Sequence, residues 1–202
     1  MNFYKFLKKR LNFFYWVFLF FLFYKVFIGN EVFYPKPYGY REIDIPNAEY
    51  VLFSQKNFPY KFLVSKFSKV NIIEDKNTTY CIDINYPNFN ACLEITYKNF
   101  ENILDLKKYL EISENLAFFH KVKSYKITKK LIQKEGKDPF VLIKIFGETP
   151  TKIQFYVTDK KKNFLRGALY FESCMDDEYL KPILDFIEKD IEKIIESIEW
   201  IK

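Results

Sequence analysis

Few residues in this 202-residue chain have the chemistry to act as catalysts. His120 is the one histidine. A general base or a zinc ligand needs partners, and no second histidine or paired cysteine supplies them. Its position at the end of a helical pattern suits a structural cation near a helix C-terminus. The cysteines are Cys81, Cys92 and Cys174, with no C-x-x-C spacing. They read as structural or incidental thiols. No nucleophile elbow, triad order or metal-ligand spacing is present, so the residues point away from enzyme chemistry and imply no cofactor and no small-molecule substrate. The competing reading is a periplasmic, hydrolase-like enzyme with its site around His120.

Charge narrows the partner. The chain carries a net charge of +6, and five of those charges are Lys5, Lys8, Lys9, Arg10 and Lys25 in an acid-free stretch. A nucleic-acid binder should hold its basic excess in the folded domain, so nucleic acid is set aside. Elsewhere, Lys121, Lys123, Lys126, Lys129, Lys130, Lys134 and Lys137 form a basic run. Residues 176–199 instead hold nine acids and three lysines. This asymmetry reads first as a solvated face, and second as a surface for an acidic partner or anionic headgroups.

Residues 1–30 have the layout of a signal peptide or signal anchor. A basic cluster precedes the apolar run Leu11–Tyr24; after Lys25, Val26-Phe27-Ile28 completes it. As a helix, residues 11–28 would be about 27 Å long, near the hydrocarbon thickness, with Lys25 able to snorkel. The positive-inside rule sends the remainder outward. Gly29 suits a cleavage site but Phe27 does not, so the leader is expected to stay attached as an anchor. Residues 31–40, with Pro35, Pro37, Gly39 and Tyr40, read as an extended connector.

Residues 41–202 read as a single α+β domain: an antiparallel sheet packed with a middle helix and a long C-terminal amphipathic helix, PsbP/Mog1-like by loose analogy. Strands are expected at Arg41–Ile45, Ala48–Phe53, Tyr60–Ser65 and Lys69–Ile73. The clearest hairpin joins Thr79–Tyr86 to Ala91–Tyr97 through Pro87–Asn90, because apolar and polar residues alternate on both arms. Centring that loop pairs position 81 with about 96 and 92 with about 85, so Cys81 and Cys92 share a face without facing each other. Glu101–His120 is expected to be a helix with Ile103, Leu106, Leu110, Leu116 and Ala117 inward. Strands resume at Tyr125–Ile132, Phe140–Phe146, Lys152–Thr158 and Phe164–Glu172. Gly167 inside the last pattern suggests a bulge or a close backbone approach, with a bulge favoured over a docking point for a partner strand. The terminal helix should begin near Pro182 and bury Leu180, Ile183, Leu184, Ile187, Ile191, Ile194, Ile195 and Ile198.

Several stretches resemble the gliding motility lipoprotein family GldD. One is Pro35-Lys36-Pro37-Tyr38-Gly39-Tyr40 with Ile43–Pro46; another is Leu116–Lys123, which contains His120. The most specific is Ile153–Asp159 with Phe164-Leu165-Arg166-Gly167-Ala168-Leu169-Tyr170-Phe171. The terminal helix ending at Trp200 also matches, so the similarity covers roughly residues 35–202. The resemblance implies a membrane-anchored, non-enzymatic, periplasm-facing envelope component that supports gliding and the associated type IX secretion machinery. It implies other gliding and secretion envelope proteins as partners, and candidate interaction residues at Pro35, Pro37, Gly39, Tyr40, His120, Asp159, Phe164, Arg166, Gly167 and Tyr170. It also implies a lipidated cysteine where this chain has Asn30, and a cysteine partner for Cys81 where it has Phe58.

Overall fold

The computed structural model describes residues 15–20, 23–24, 43–74, 80–172 and 177–201. The chain divides into two compact units, Met1–Arg41 and Glu42–Lys202. In the first, residues 15–20 and 23–24 are helical. Among the described residues no helix is long and apolar enough to cross a membrane. Asn30, Pro35, Pro37, Gly39, Tyr40 and Cys174 lie outside the described residues.

The second unit is α+β. In chain order it contains β1 (Tyr50–Phe53), β2 (Tyr60–Ser65), β3 (Lys69–Glu74), β4 (Tyr80–Tyr86) and β5 (Ala91–Asn99), then α1 (Ile103–Phe118). There follow β6 (Ser124–Ile132), β7 (Phe140–Gly147), β8 (Thr151–Thr158), β9 (Asn163–Phe171), α2 (Asp177–Glu196) and β10 (Glu199–Trp200). Seven strands form one antiparallel sheet in the order β3-β4-β5-β9-β8-β7-β6, and β1-β2-β10 form a smaller one.

Alternation along the strands sorts side chains onto two faces. On one face Ile82, Ile84, Leu93, Ile95, Phe155, Leu165 and Leu169 are buried with Ile183, Ile187, Ile191 and Ile194 of α2. The small sheet joins this core through Tyr60 and Phe62, and Tyr60 packs 5.7 Å from Tyr97. On the other face Val141, Ile143, Ile145, Tyr156 and Phe164 pack with Leu106 and Ala117 of α1. This second core reaches strands β6 to β9, so the polar residues of β4 and β5 stay at the surface on that side.

The β4–β5 hairpin has the register expected from its loop, with Cys81 opposite Thr96 and Asn85 opposite Cys92. Cys81 and Cys92 are free thiols. Asn90 takes the left-handed conformation, φ 48°, after the 3-10 turn Pro87–Phe89. Helix α1 starts where Asn102 caps it, its side-chain oxygen accepting from the amides of Leu104 and Asp105.

Four expectations fail. Ile43–Ile45 form no strand; Ile43 and Ile45 are partly buried and pack on the core as an irregular segment. Ile103 and Leu116 of α1 are 60% and 46% exposed, because the buried stripe is Leu106, Ser113 and Ala117, with Tyr109 and Leu110 beside it. Pro182 lies inside α2 rather than at its start; exposed on the outer side, it costs one backbone hydrogen bond without displacing core. The chain also leaves the helix after Glu196: Glu199 and Trp200 pair with Lys61 and Tyr60 of β2, and the Trp200 indole donates to Asp138 at 2.8 Å.

Candidate functional site

Strand β9 decides where the candidate residues go. Leu165, Gly167, Leu169 and Phe171 point to the α2 face, whereas Phe164, Arg166, Ala168 and Tyr170 point to the α1 face. Gly167 pairs with Ile95 on one side and Phe155 on the other with no break in register, so there is no bulge there. A Cβ at Gly167 would lie 2.3 Å from the Phe155 ring. Glycine is required by that close approach, not by backbone dihedrals. The favoured expectation of a bulge is corrected accordingly.

Arg166 is the arginine of the described domain and anchors a polar cluster. It donates from Nη2 to Gln154 Oε1 at 2.7 Å and also bonds the Tyr170 side chain. Its Nε is buried without a partner. The neighbouring strand β5 supplies Thr96, Glu94 and Cys92 opposite Arg166, Ala168 and Tyr170. Burial, and then Asp83, push the Glu94 carboxyl above its ordinary value, while Arg166 pulls it back. Burial, Asp83 and Glu94 raise the Cys92 thiol to about 11, which keeps it protonated and a poor nucleophile.

His120 approaches the same cluster from the 3-10 turn Phe119–Val122 that follows α1. Burial and the Arg166 charge both push its pKa below the ordinary value. It is therefore neutral at pH 7, not the helix-capping cation that its position in the sequence suggests. The structure thus brings His120, Arg166 and Tyr170 to one side of the sheet. A guanidinium, an amide, a phenol and a neutral imidazole can orient a polar group by hydrogen bonding. They do not make an activated nucleophile with its base.

The other candidates serve different places. Asp159 organises the β8–β9 loop: its carboxylate accepts from the amides of Lys161, Lys162 and Asn163 at 2.8, 3.0 and 2.9 Å, and from Asn163 Nδ2 at 2.6 Å. Burial pushes that carboxyl up, but these donors outweigh it and hold the pKa below the ordinary value. Phe164 is buried between Tyr109 and Tyr156, at 5.7 and 6.1 Å. Phe58, at the position the resemblance gives to a partner for Cys81, packs its ring 5.3 Å from Tyr80.

Features that the sequence reading missed lie across strand pairs or between distant elements. Gln154 and Glu94 reach Arg166 through the β8–β9 and β9–β5 registers. The fully buried Lys152 ammonium donates to Asp177 Oδ1 and to the Gly147 carbonyl, both at 2.6 Å. Asp177 Oδ2 accepts from the Gly147 amide and the Tyr125 hydroxyl, which fastens the start of α2 to the β7–β8 turn. An open groove of about 830 Å³ lies between the β1–β2 turn and the β8–β9 loop, lined by Phe58, Tyr80, Tyr97, Asn99 and Lys162 among others. Among the described residues no three His, Cys, Asp or Glu side chains gather as metal ligands.

Comparison with known proteins places this geometry. No curated protein matches the chain. The solution structure of cyanobacterial PsbP (CyanoP) from Synechocystis sp. PCC 6803 is similar at a TM-score of 0.48 and 9% identity, covering 77% of this chain and 95% of that one. The family described as gliding motility lipoprotein GldD matches residues 30–200. That match spans the whole described domain, and the chain belongs to the GldD family of gliding motility lipoproteins.

Proposed function

We propose that this chain is a non-enzymatic envelope component, held at a membrane by its N-terminal segment, whose domain faces the periplasm and supports gliding together with the type IX secretion machinery. The family match over residues 30–200 carries this reading. The Arg166 cluster agrees with it: its side chains suit recognition of a polar group, and Cys92 is kept protonated. Asn30 stands where the family's lipidated cysteine is implied, and lipid attachment needs a thiol. The leader therefore takes over anchoring, and the connector 31–40 becomes the tether. Affinity capture from cross-linked cells tests the assembly role. Envelope motility or secretion proteins should co-purify with the wild-type chain; capture of none contradicts the proposal.

The half-buried His120 beside Arg166 keeps one enzymatic reading specific: a periplasmic hydrolase-like activity. Under it, His120→Ala would abolish function in cells while leaving the thermal unfolding curve unchanged. Under the scaffold reading, any loss of function on that change should go with loss of the co-purifying envelope proteins.

A further inference from the structure

The end of α1, the 3-10 turn and the start of β6 form an apolar tip in a basic setting. Phe119 is 81% exposed, Val122 94% and Tyr125 74%; Leu116 and Phe118 are 46% and 44% exposed. Tyr125 keeps its hydroxyl on Asp177, so its ring is held in place while its surface stays wet. Isolated exposed apolar residues are ordinary, but five within ten positions are not scattered.

Along the stretch of chain that forms the tip the charge has one sign, and Asp177, which Tyr125 contacts from α2, is paired with the buried Lys152. Between Glu114 and Glu135 the sequence has six lysines and no acid. Lys129 pairs with Glu114, and Lys134 with Glu192 and Glu196. Lys126 lies over the Phe146 ring, 5.8 Å from its centroid. Among the described residues Lys121, Lys123 and Lys130 have no ion-pair partner.

We propose that this tip, centred on Phe119 and Val122 and ringed by Lys121, Lys123 and Lys126, docks the domain onto the surface of an anionic lipid bilayer. Composition favours lipid over a protein partner. Lysine is depleted from the cores of protein interfaces, whereas aromatic and aliphatic groups interleaved with lysines suit the headgroup boundary. There the rings enter the acyl edge and the ammonium groups stay among the phosphates. The inference rests on the membrane-anchored reading above. A ten-residue connector, about 35 Å when extended, keeps the domain within reach of the bilayer.

The test uses the full chain in lipid nanodiscs, followed by hydrogen–deuterium exchange. Amides in residues 116–126 should exchange more slowly in discs containing phosphatidylglycerol than in phosphatidylcholine alone. Phe119→Asp with Val122→Asp should abolish that difference, and Lys121→Gln with Lys123→Gln should weaken docking roughly thirtyfold. Leu131→Asp, at an exposed site off the tip, should change nothing and guards against misfolding. Equal exchange in both lipids overturns the proposal. So does slowing that is already present in detergent and grows with protein concentration, which would mean that a second copy covers the tip. If the chain leaves the discs, the anchor reading has failed. Pelleting of that released chain with phosphatidylglycerol vesicles then decides the tip separately: binding that Phe119→Asp removes supports it, and no binding overturns it.

Discussion

The helices on the two faces of the large sheet differ in kind. Helix α2 buries Leu180, Ile187, Ile191 and Ile194 completely, with Ile183 at 4% exposure, along a stripe at helical spacing. Helix α1 buries Leu106, Ser113 and Ala117 but leaves Ile103, Leu104, Ile112 and Leu116 between 44% and 70% exposed. Both helices are rich in apolar residues. Placement follows periodicity rather than apolar content, because a continuous stripe can meet a sheet only along one side. The apolar surplus of α1 is thus left at the surface.

The largest contrast should appear on truncating the two helices. Ile191→Ala should cost about 4 kcal/mol in urea unfolding, since a fully buried isoleucine leaves a cavity. Ile112→Ala should stay within about 0.5 kcal/mol. Comparable losses would mean that α1 packs more tightly than its exposure indicates.

Next is Lys152→Met, expected to cost about 3 kcal/mol by stranding Asp177 near the start of α2. The loss should depend on pH in a fixed sense. Burial pushes the Asp177 carboxyl up, but Lys152, Tyr125 and the Gly147 amide outweigh it and hold its folded pKa below 3.8. Its contribution is therefore fully present above the unfolded value and fades as pH falls through the folded one. Unfolding curves of wild type and variant should converge in acid.

Gly167→Ala should cost about 1–3 kcal/mol, because its methyl group must displace the Phe155 ring. Adding Phe155→Leu should recover part of that loss; if it recovers none, the strain is elsewhere.

The smallest effect concerns Asp190 on α2, fully buried with the Tyr50 hydroxyl donating at 3.0 Å. Burial raises its folded pKa above 3.8 against the pull of the Tyr50, Ser65 and Tyr86 hydroxyls, so its ionisation costs stability as pH rises through that folded value. Asp190→Asn should be neutral to stabilising by about 1 kcal/mol at pH 7, and less so in acid. Destabilisation at pH 7 would show that the surrounding hydroxyls pair the carboxylate better than its raised pKa implies.

The same contrast marks what the sequence could disclose. The β4–β5 register was legible because both arms alternate and the loop is short. The α2 stripe was legible because its isoleucines repeat at helical spacing. The inward face of α1 was not, because Ile103 and Leu116 look as apolar as Leu106 does. The β10 strand was hidden by Ile198, which continues the helical stripe past its end. The Arg166 cluster could be read only in part. Alternation puts Arg166 and Tyr170 on one face, but Glu94 arrives through β5–β9 pairing, which no local pattern encodes. His120 was visible as a residue, yet its lowered pKa comes first from burial and then from Arg166, 46 positions away in sequence.

The most direct test of the proposed role is complementation of a deletion strain. Deletion should abolish colony spreading and secretion, and the wild-type chain should restore them. Undisturbed spreading and secretion in the deletion strain would contradict the proposed function. So would a His120→Ala chain that keeps its unfolding curve and its co-purifying envelope partners yet fails to restore them.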